Sequence, residues 1–238
     1  MKKLLLVAIC LPACLAVSFA SPLTTVVFDN TGQTTDAGYW ATWPAAGYAA
    51  EWGSFTVPND FVVTSVELVL DNNIGSAYTY DPTGVATTNG VLTVSISEDN
   101  GAGGIPGTSL GSIGSVQDSS IPGDGGCTSP VAVGCTFSLV NVSITPEALS
   151  GGTYWLGLSD SSAPSNPAIL WGFNNAGTGV DVASESTYDT FDGLYPNTAG
   201  AYQMQIEGYV APEPATGAFG LIGLVALLTV YRRRRAVS

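Results

Sequence analysis

Short stretches of alternating apolar and polar residues run along most of this chain, and helical periodicity is almost absent between its two ends. The alternation is clearest from Val91 to Ser97, where Leu92, Val94 and Ile96 share one side of a predicted strand. Further stretches have strand composition between turn residues, namely 24–28, 49–57, 61–70, 137–144, 154–158, 168–173 and 201–207. This pattern predicts an all-β domain, an antiparallel β-sandwich of jelly-roll-like topology.

Local predictions accompany these strands. Within the stretch 61–70, alternation predicts one face made of Val63, Ser65, Glu67 and Val69, and an opposite face made of Val62, Thr64, Val66, Leu68 and Leu70. Residues 145–149 predict one helical turn, because Thr145 fits an N-cap and Pro146 fits the first helical position. The segments 101–109 and 118–126 are rich in Gly and Ser, and we expect exposed loops there.

The N-terminus has the pattern of a secretory signal peptide. Lys2 and Lys3 precede an apolar run over residues 4–17, and small residues flank the predicted cleavage site after Ala20. A lipoprotein signal ending before Cys14 is an alternative, although Pro12 fits that box poorly. An uncleaved membrane anchor is the other alternative. Cleavage after Ala20 fits the residues best and predicts an exported domain.

The C-terminus has the pattern of a transmembrane helix. Residues 215–231 carry no charge, and as a helix they would reach about 26 Å. That length approaches the thickness of a hydrocarbon core, which is about 30 Å. Arg232, Arg233, Arg234 and Arg235 follow directly, and the positive-inside rule places them in the cytoplasm. A buried core helix is the alternative, and the arginine cluster disfavours it.

Pro212, Glu213 and Pro214 precede this apolar run, and the ordered trio of Pro-Glu-Pro, apolar helix and Arg cluster resembles the PEP-CTERM sorting signal of Gram-negative bacteria. The resemblance implies recognition and processing by an exosortase, and export by bacteria that make extracellular polysaccharide. It divides the chain into a signal peptide (1–20), an exported β-sandwich domain (21–210) and the sorting signal (211–238). The helix would anchor the protein in the inner membrane until processing.

Charge is distributed very unevenly. The six cations are Lys2, Lys3 and the four tail arginines, so residues 21–213, which we call the body, contain no Lys, Arg or His. All nineteen carboxylates lie between Asp29 and Glu213, which gives −19 alone and −15 with the arginines attached (−19 + 4). This composition argues against nucleic acid as a partner, since phosphate neutralisation needs cations. It also excludes Ser-His-Asp, Schiff-base and zinc–histidine chemistry within the body.

Two cysteines remain after signal cleavage. Cys127 and Cys135 are separated by a short segment containing Pro130 and Gly134, and in an exported domain such a pair predicts a disulfide. A redox pair is the alternative, but there is no CxxC spacing and no neighbouring cation to lower a thiol pKa.

Candidate ligand-binding residues are few. Glu98, Asp99, Asp189 and Asp192 are weak candidates for calcium, the one cofactor considered, because hard oxygen ligands suit that ion and lie here in turns. Trp40, Trp43 and Trp171 are weak candidates for sugar-stacking platforms, ahead of Trp52 and Trp155, because loops flank them. A glycosidase needs only two carboxylates, but nineteen acids make such a pair uninformative.

We therefore expect an exported, non-enzymatic surface or extracellular-matrix protein with a structural or adhesive role, associated with extracellular polysaccharide. Signal peptidase and exosortase are the expected processing partners, and the inner membrane is the transient anchor. The alternative is a carbohydrate-binding module, with calcium as an optional aid. A two-carboxylate glycoside hydrolase is a distant third.

Overall fold

The computed structural model describes residues 23–40, 50–72, 90–101, 105–123, 136–161, 169–174, 187–190, 194–196 and 201–211, of which 37, 39, 40, 187–190 and 194–196 are described by their backbone alone. Within these residues the elements are strands, apart from a 3-10 turn at Asp118–Ser120. The strands are β1 (Thr25–Asp29), β2 (Ala37–Trp40), β3 (Glu51–Val57), β4 (Phe61–Asn72), β5 (Val91–Asp99), β6 (Pro106–Gln117), β7 (Ser138–Val142), β8 (Glu147–Leu149), β9 (Gly152–Asp160), β10 (Ile169–Asn174), β11 (Thr187–Thr190), β12 (Leu194–Pro196), β13 (Ala201–Tyr202) and β14 (Met204–Val210). The predicted all-β class is confirmed.

The strands form two antiparallel sheets. One has eight strands, in the order β1-β14-β4-β10-β13, with β7 and β8 also paired to β4 and β2 paired to β10. The other has six strands, in the order β12-β11-β3-β9-β5-β6. Every pairing is antiparallel, and the long strand β4 holds the larger sheet together by pairing with β14, β7, β8 and β10.

Side chains from both sheets share one hydrophobic core. Phe55, Leu92 and Leu156 enter it from the six-stranded sheet, and Leu68 and Ile206 enter it from the eight-stranded sheet. The position of Gly53 fixes the orientation of β3, because a Cβ there would lie 3.3 Å from both Met204 and Trp171 of the opposite sheet. The residues next to Gly53 in β3, Trp52 and Ser54, therefore point away from the core, as does Thr56.

A β-bulge changes the predicted faces of β4. Glu207 pairs with Ser65 but Gly208 pairs with Val63, so Thr64 is the additional residue on β4. Val63, predicted with Ser65 and Glu67, is instead fully buried in the core with Val66 and Leu68. Gly208 permits this close pairing, because a Cβ at that position would lie 1.9 Å from the carbonyl oxygen of Val62.

The predicted helical turn at 145–149 is wrong. Glu147–Leu149 is the strand β8, which pairs with Phe61–Val63 of β4. Starting a helix costs free energy before any hydrogen bond is returned, so a five-residue segment beside an available strand gains more by pairing with it. Thr145, the predicted N-cap residue, instead donates its backbone N–H to the Ile113 carbonyl at 2.7 Å.

Both loop predictions are partly wrong. Pro106–Gln117 is the edge strand β6, so the predicted loop 101–109 already becomes a strand at Pro106. In the second segment, Asp118 and Ile121 are buried, whereas residues 119 and 120 are exposed. Gly and Ser predicted loops here, but pairing with β5 outweighs their weak strand propensity.

The two end segments lie outside the described residues. This applies to the signal cleavage site after Ala20, the Pro212–Pro214 motif, the predicted span 215–231 and Arg232–Arg235. The predicted disulfide residues, Cys127 and Cys135, also lie outside the described residues. Within the described ranges, no helix is both long and apolar enough to cross a membrane.

Candidate functional site

Trp171 is a core residue. Its side chain is fully buried, its ring stacks on Tyr202 with the centroids 4.4 Å apart, and its indole N–H donates to the Gln203 carbonyl at 3.0 Å. A fully buried ring offers no face to a ligand from solvent, so the platform prediction for Trp171 is wrong. The backbone of Trp40 lies in β2 opposite Leu170, while its side chain and all of Trp43 lie outside the described part.

Asp99 closes a turn at the end of β5. Its Oδ1 accepts a hydrogen bond from the Trp155 indole N–H at 2.9 Å, and its Oδ2 accepts one from the Gly101 backbone N–H at 3.0 Å. Both oxygens therefore serve the turn and the neighbouring strand, which is the ordinary use of Asp at such a position. Glu98 beside it is exposed.

The structure places the strands that carry two of the predicted calcium ligands, Asp99 and Asp189, apart in the sheet. The backbone of Asp189 lies in β11 opposite Glu51, and strands β3 and β9 separate β11 from the strand that carries Asp99. Asp192 lies outside the described residues. Among the residues that are described, no three His, Cys, Asp or Glu side chains are grouped to hold a metal ion.

The outer face of the six-stranded sheet is rich in hydroxyl groups. Alternation and register place one set of side chains on this face of β3, β9, β5 and β6: Trp52, Ser54, Thr56, Thr153, Trp155, Ser159, Thr93, Ser95, Ser97, Asp99, Ser112 and Ser115. Asp99 is the sole ionisable residue in this set, and both of its oxygens already accept hydrogen bonds. Val91 and its partner Gln117 lie on the same face at the ends of β5 and β6.

Part of this face is open to solvent. Ser54, Ser97 and Trp155 are at most 2% exposed. The accessible residues include six that lie in the row of Trp52 or in the adjoining row, and we term these six the hydroxyl patch: Trp52, Thr93, Ser95, Ser112, Ser115 and Ser159. Thr56, Thr153 and Asp99 are also accessible on this face and lie outside the patch. Register aligns Trp52, Gly157, Ser95 and Ser112 in one row across the sheet, and Ser159, Thr93 and Ser115 in the next row. The patch is therefore contiguous.

Trp52 differs from the two buried tryptophans in how it is held. Its ring lies across Gly157, where an added Cβ would meet three ring carbons at 2.4, 2.6 and 2.7 Å. Its indole N–H has no hydrogen-bond acceptor, whereas the N–H groups of Trp155 and Trp171 both have one. A native polar group without a partner calls for an explanation.

Alternation could have identified Trp52 from the sequence. Trp52 shares its side of β3 with Ser54 and Thr56, while Phe55 and Val57 face the core. Our ranking favoured tryptophans flanked by loops, and that criterion selected Trp171, which the structure buries. A tryptophan that alternates with hydroxyl residues was the better signal of an outward ring.

A second polar feature lies in the interior. Asp118 is fully buried and Asp160 is 7% exposed, and they meet near the start of β5, where Asp160 pairs with Leu92. The pKa of Asp118 is raised from its ordinary 3.8 to about 7, first by burial, then by the charge of Asp160 and by a side-chain hydrogen bond to Asp160. The nearby Leu92 backbone N–H lowers the pKa of Asp118 and so opposes this rise. Its geometry is not that of a regular hydrogen bond, because neither carboxylate oxygen of Asp118 has a donor.

This pair is suited to holding a proton. Two carboxylates are both acceptors, so a hydrogen bond between them forms only when one is protonated. The body contains no Lys, Arg or His that could supply a positive charge instead. Because Asp118 is fully buried, no polymeric substrate reaches the pair from solvent.

The comparisons with protein-family models, curated proteins and solved structures find no match to this chain.

Proposed function

We propose that this chain is an exported, exosortase-processed protein of the cell surface or extracellular matrix, with a structural or adhesive, non-enzymatic role. The observation that carries the proposal is the ordered tail of Pro212-Glu213-Pro214, apolar run and Arg232–Arg235, which resembles the PEP-CTERM sorting signal. In this proposal the helix 215–231 anchors the chain in the inner membrane with its C-terminus in the cytoplasm. Exosortase then processes it near Pro-Glu-Pro.

The proposed architecture of the exported domain is a β-sandwich of jelly-roll-like topology. Two antiparallel sheets that share one core support this proposal. So does the contact of Gly53 in one sheet with Trp171 and Met204 in the other. Such a rigid scaffold suits a protein whose role is display or adhesion.

Association with extracellular polysaccharide is the proposed setting. A body of charge −19 without cations stays soluble outside the cell and avoids nucleic acid. The same charge repels acidic polymers unless divalent cations bridge them, so the body alone favours uncharged polymers.

A carbohydrate-binding module is the second candidate function, and the hydroxyl patch with Trp52 favours it. A glycan array probed with and without calcium tests it. Saturable binding to one glycan class supports this candidate over a purely structural role, and a requirement for calcium would establish calcium assistance. Binding to no glycan in either condition would leave the structural role alone.

The intact mass of the protein tests the export proposal. The full chain is produced in a bacterium that has an exosortase, and protein is recovered from membranes and from the medium. We expect the extracellular form to begin at Ser21 and to lack Arg232–Arg235. Inactivating the exosortase, or substituting Glu213→Ala, should retain a heavier form in the membrane, whereas Glu207→Ala should be processed normally. Extracellular protein that still carries the four arginines would contradict the proposal.

A further inference from the structure

We infer that the hydroxyl patch is a binding site for an uncharged polysaccharide, with Trp52 as its stacking platform. This inference rests on the carbohydrate-binding candidate above and assigns it a place, a ligand class and a central residue. Three features of the described residues carry it: the seating of the Trp52 ring, the absence of charge on the patch, and its supply of hydrogen-bonding groups.

The Trp52 ring is held with one face against Gly157, where the absence of a Cβ lets the indole lie on the sheet. In this inference the opposite face of the ring takes the sugar. The residue is partly exposed, because it is on the outer side of β3. A flat, fixed aromatic face is suited to stacking against the C–H groups of a sugar ring. Because the ring is already held in place, little further ordering is needed on binding.

Charge selects the kind of polysaccharide. The body carries nineteen carboxylates, yet none of the six residues of the hydroxyl patch is ionisable. An acidic polymer is repelled by the surrounding body, and a cationic polymer finds no carboxylate on the patch to pair with. An uncharged glycan incurs neither cost.

The patch also supplies the polar contacts that orient a glycan. Ser95 and Ser112 use their hydroxyl protons on the backbone carbonyls of Gly157 and Val94, each at 3.3 Å, which leaves lone pairs on their oxygens to accept from sugar hydroxyls. The Trp52 indole N–H is itself buried, so the ring contributes its face rather than a hydrogen bond. The patch thus places hydroxyl groups around an aromatic platform.

Affinity measurements on the protein recovered from the medium test this inference. The probes are dextran, galactomannan and soluble xylan as uncharged polymers, with alginate and polygalacturonate as anionic ones, all with and without calcium. We expect saturable binding to at least one uncharged probe that does not depend on calcium. Trp52→Ala should weaken that binding about tenfold or more, and Trp52→Phe should weaken it less.

Two further variants separate the site from general effects on the fold. Gly157→Ala keeps Trp52 but adds a Cβ that forces its ring to move, so we expect it to weaken binding as well. Thr153→Ala changes the same sheet face beside Thr56, outside the patch, and should bind like wild type. Thermal unfolding of each variant shows whether it is folded under the binding conditions.

Chemical shifts of the indole N–H groups give a readout that loss of stability would not imitate. On titration with the bound glycan, the Trp52 resonance should move, while those of Trp155 and Trp171, which are already hydrogen-bonded, should stay in place. Glycan binding that Trp52→Ala leaves intact would overturn the assigned site but not carbohydrate binding. Binding confined to anionic probes would overturn the ligand class, and no binding at all would overturn the inference while leaving the export proposal to its own mass measurement.

Discussion

Asp118 makes the stability of this protein depend on pH in an unusual direction. Its pKa is about 7 in the folded protein and 3.8 in its ordinary state. Between those values the folded chain holds a proton that the unfolded chain has lost, so the free energy of unfolding falls as pH rises through this window. A full shift of this size corresponds to at most about 4 kcal/mol.

We predict that Asp118→Asn stabilises the protein above pH 7. The amide donates a hydrogen bond toward Asp160 at every pH and so imitates the protonated acid. Denaturant unfolding measures the free energy of unfolding of both proteins at pH 5 and pH 8. The difference, variant minus wild type, should be larger at pH 8 than at pH 5 by a few kcal/mol. Glu98→Gln, an exposed change, should show no such gain. An equal difference between Asp118→Asn and wild type at both pH values would contradict a shared proton.

Individual residues were harder to place from the sequence than strands were. Trp52, Trp155 and Trp171 all lie in strands, and their chemical type does not state which side of the sheet each one faces. The meeting of Asp118 with Asp160 depends on the pairing of β5 with β6 and with β9, and no local pattern contains that pairing. The residues of the candidate site therefore depend on which side of the sheet each side chain faces and on which distant strands pair, and neither is visible in a local stretch of sequence.

At the scale of elements, apolar alternation predicted most of the strands that form the core. The stretches 61–70, 91–97 and 154–158 all fall within longer observed strands. Alternating burial is clear at 91–96, whereas residues 154–158 are all buried. Prediction failed for β6 and β8, whose burial patterns do not alternate cleanly. Pairing with a neighbouring strand determines those two elements: β6 pairs with the preceding strand β5, and β8 pairs with the distant strand β4.

Strand β4 should be the element most sensitive to truncation of its buried side chains. Leu68 is fully buried in it, so we expect Leu68→Ala to cost about 2–5 kcal/mol of unfolding free energy through lost burial and a cavity. Leu139, on the paired strand β7, is 53% exposed, and Leu139→Ala should stay within about 0.5 kcal/mol of wild type. Urea unfolding midpoints measure both. Equal losses in the two variants would show that β4 does not occupy the core.

At the scale of the whole molecule, charge is uncompensated. The body has nineteen carboxylates and no cationic side chain, so no salt bridge between side chains forms within it. After the proposed signal cleavage the four tail arginines would be the remaining positive side chains of the sequence, and their proposed removal would change the net charge from −15 to −19. Processing would then increase self-repulsion in the released protein as well as free it from the membrane.

We predict that salt stabilises the released protein at neutral pH. Carboxylates that repel each other across the surface are screened once the Debye length falls below their spacing, and that length is about 10 Å at 0.1 M salt. Raising NaCl from about 20 mM to about 500 mM should therefore raise Tm at pH 7.5. Proteins held by surface ion pairs respond in the opposite direction, because screening weakens attraction as well as repulsion. At pH 3 most carboxylates are protonated, so the same salt increase should have little effect. A Tm that is unchanged or lowered by salt at pH 7.5 would show that repulsion among the carboxylates does not limit stability.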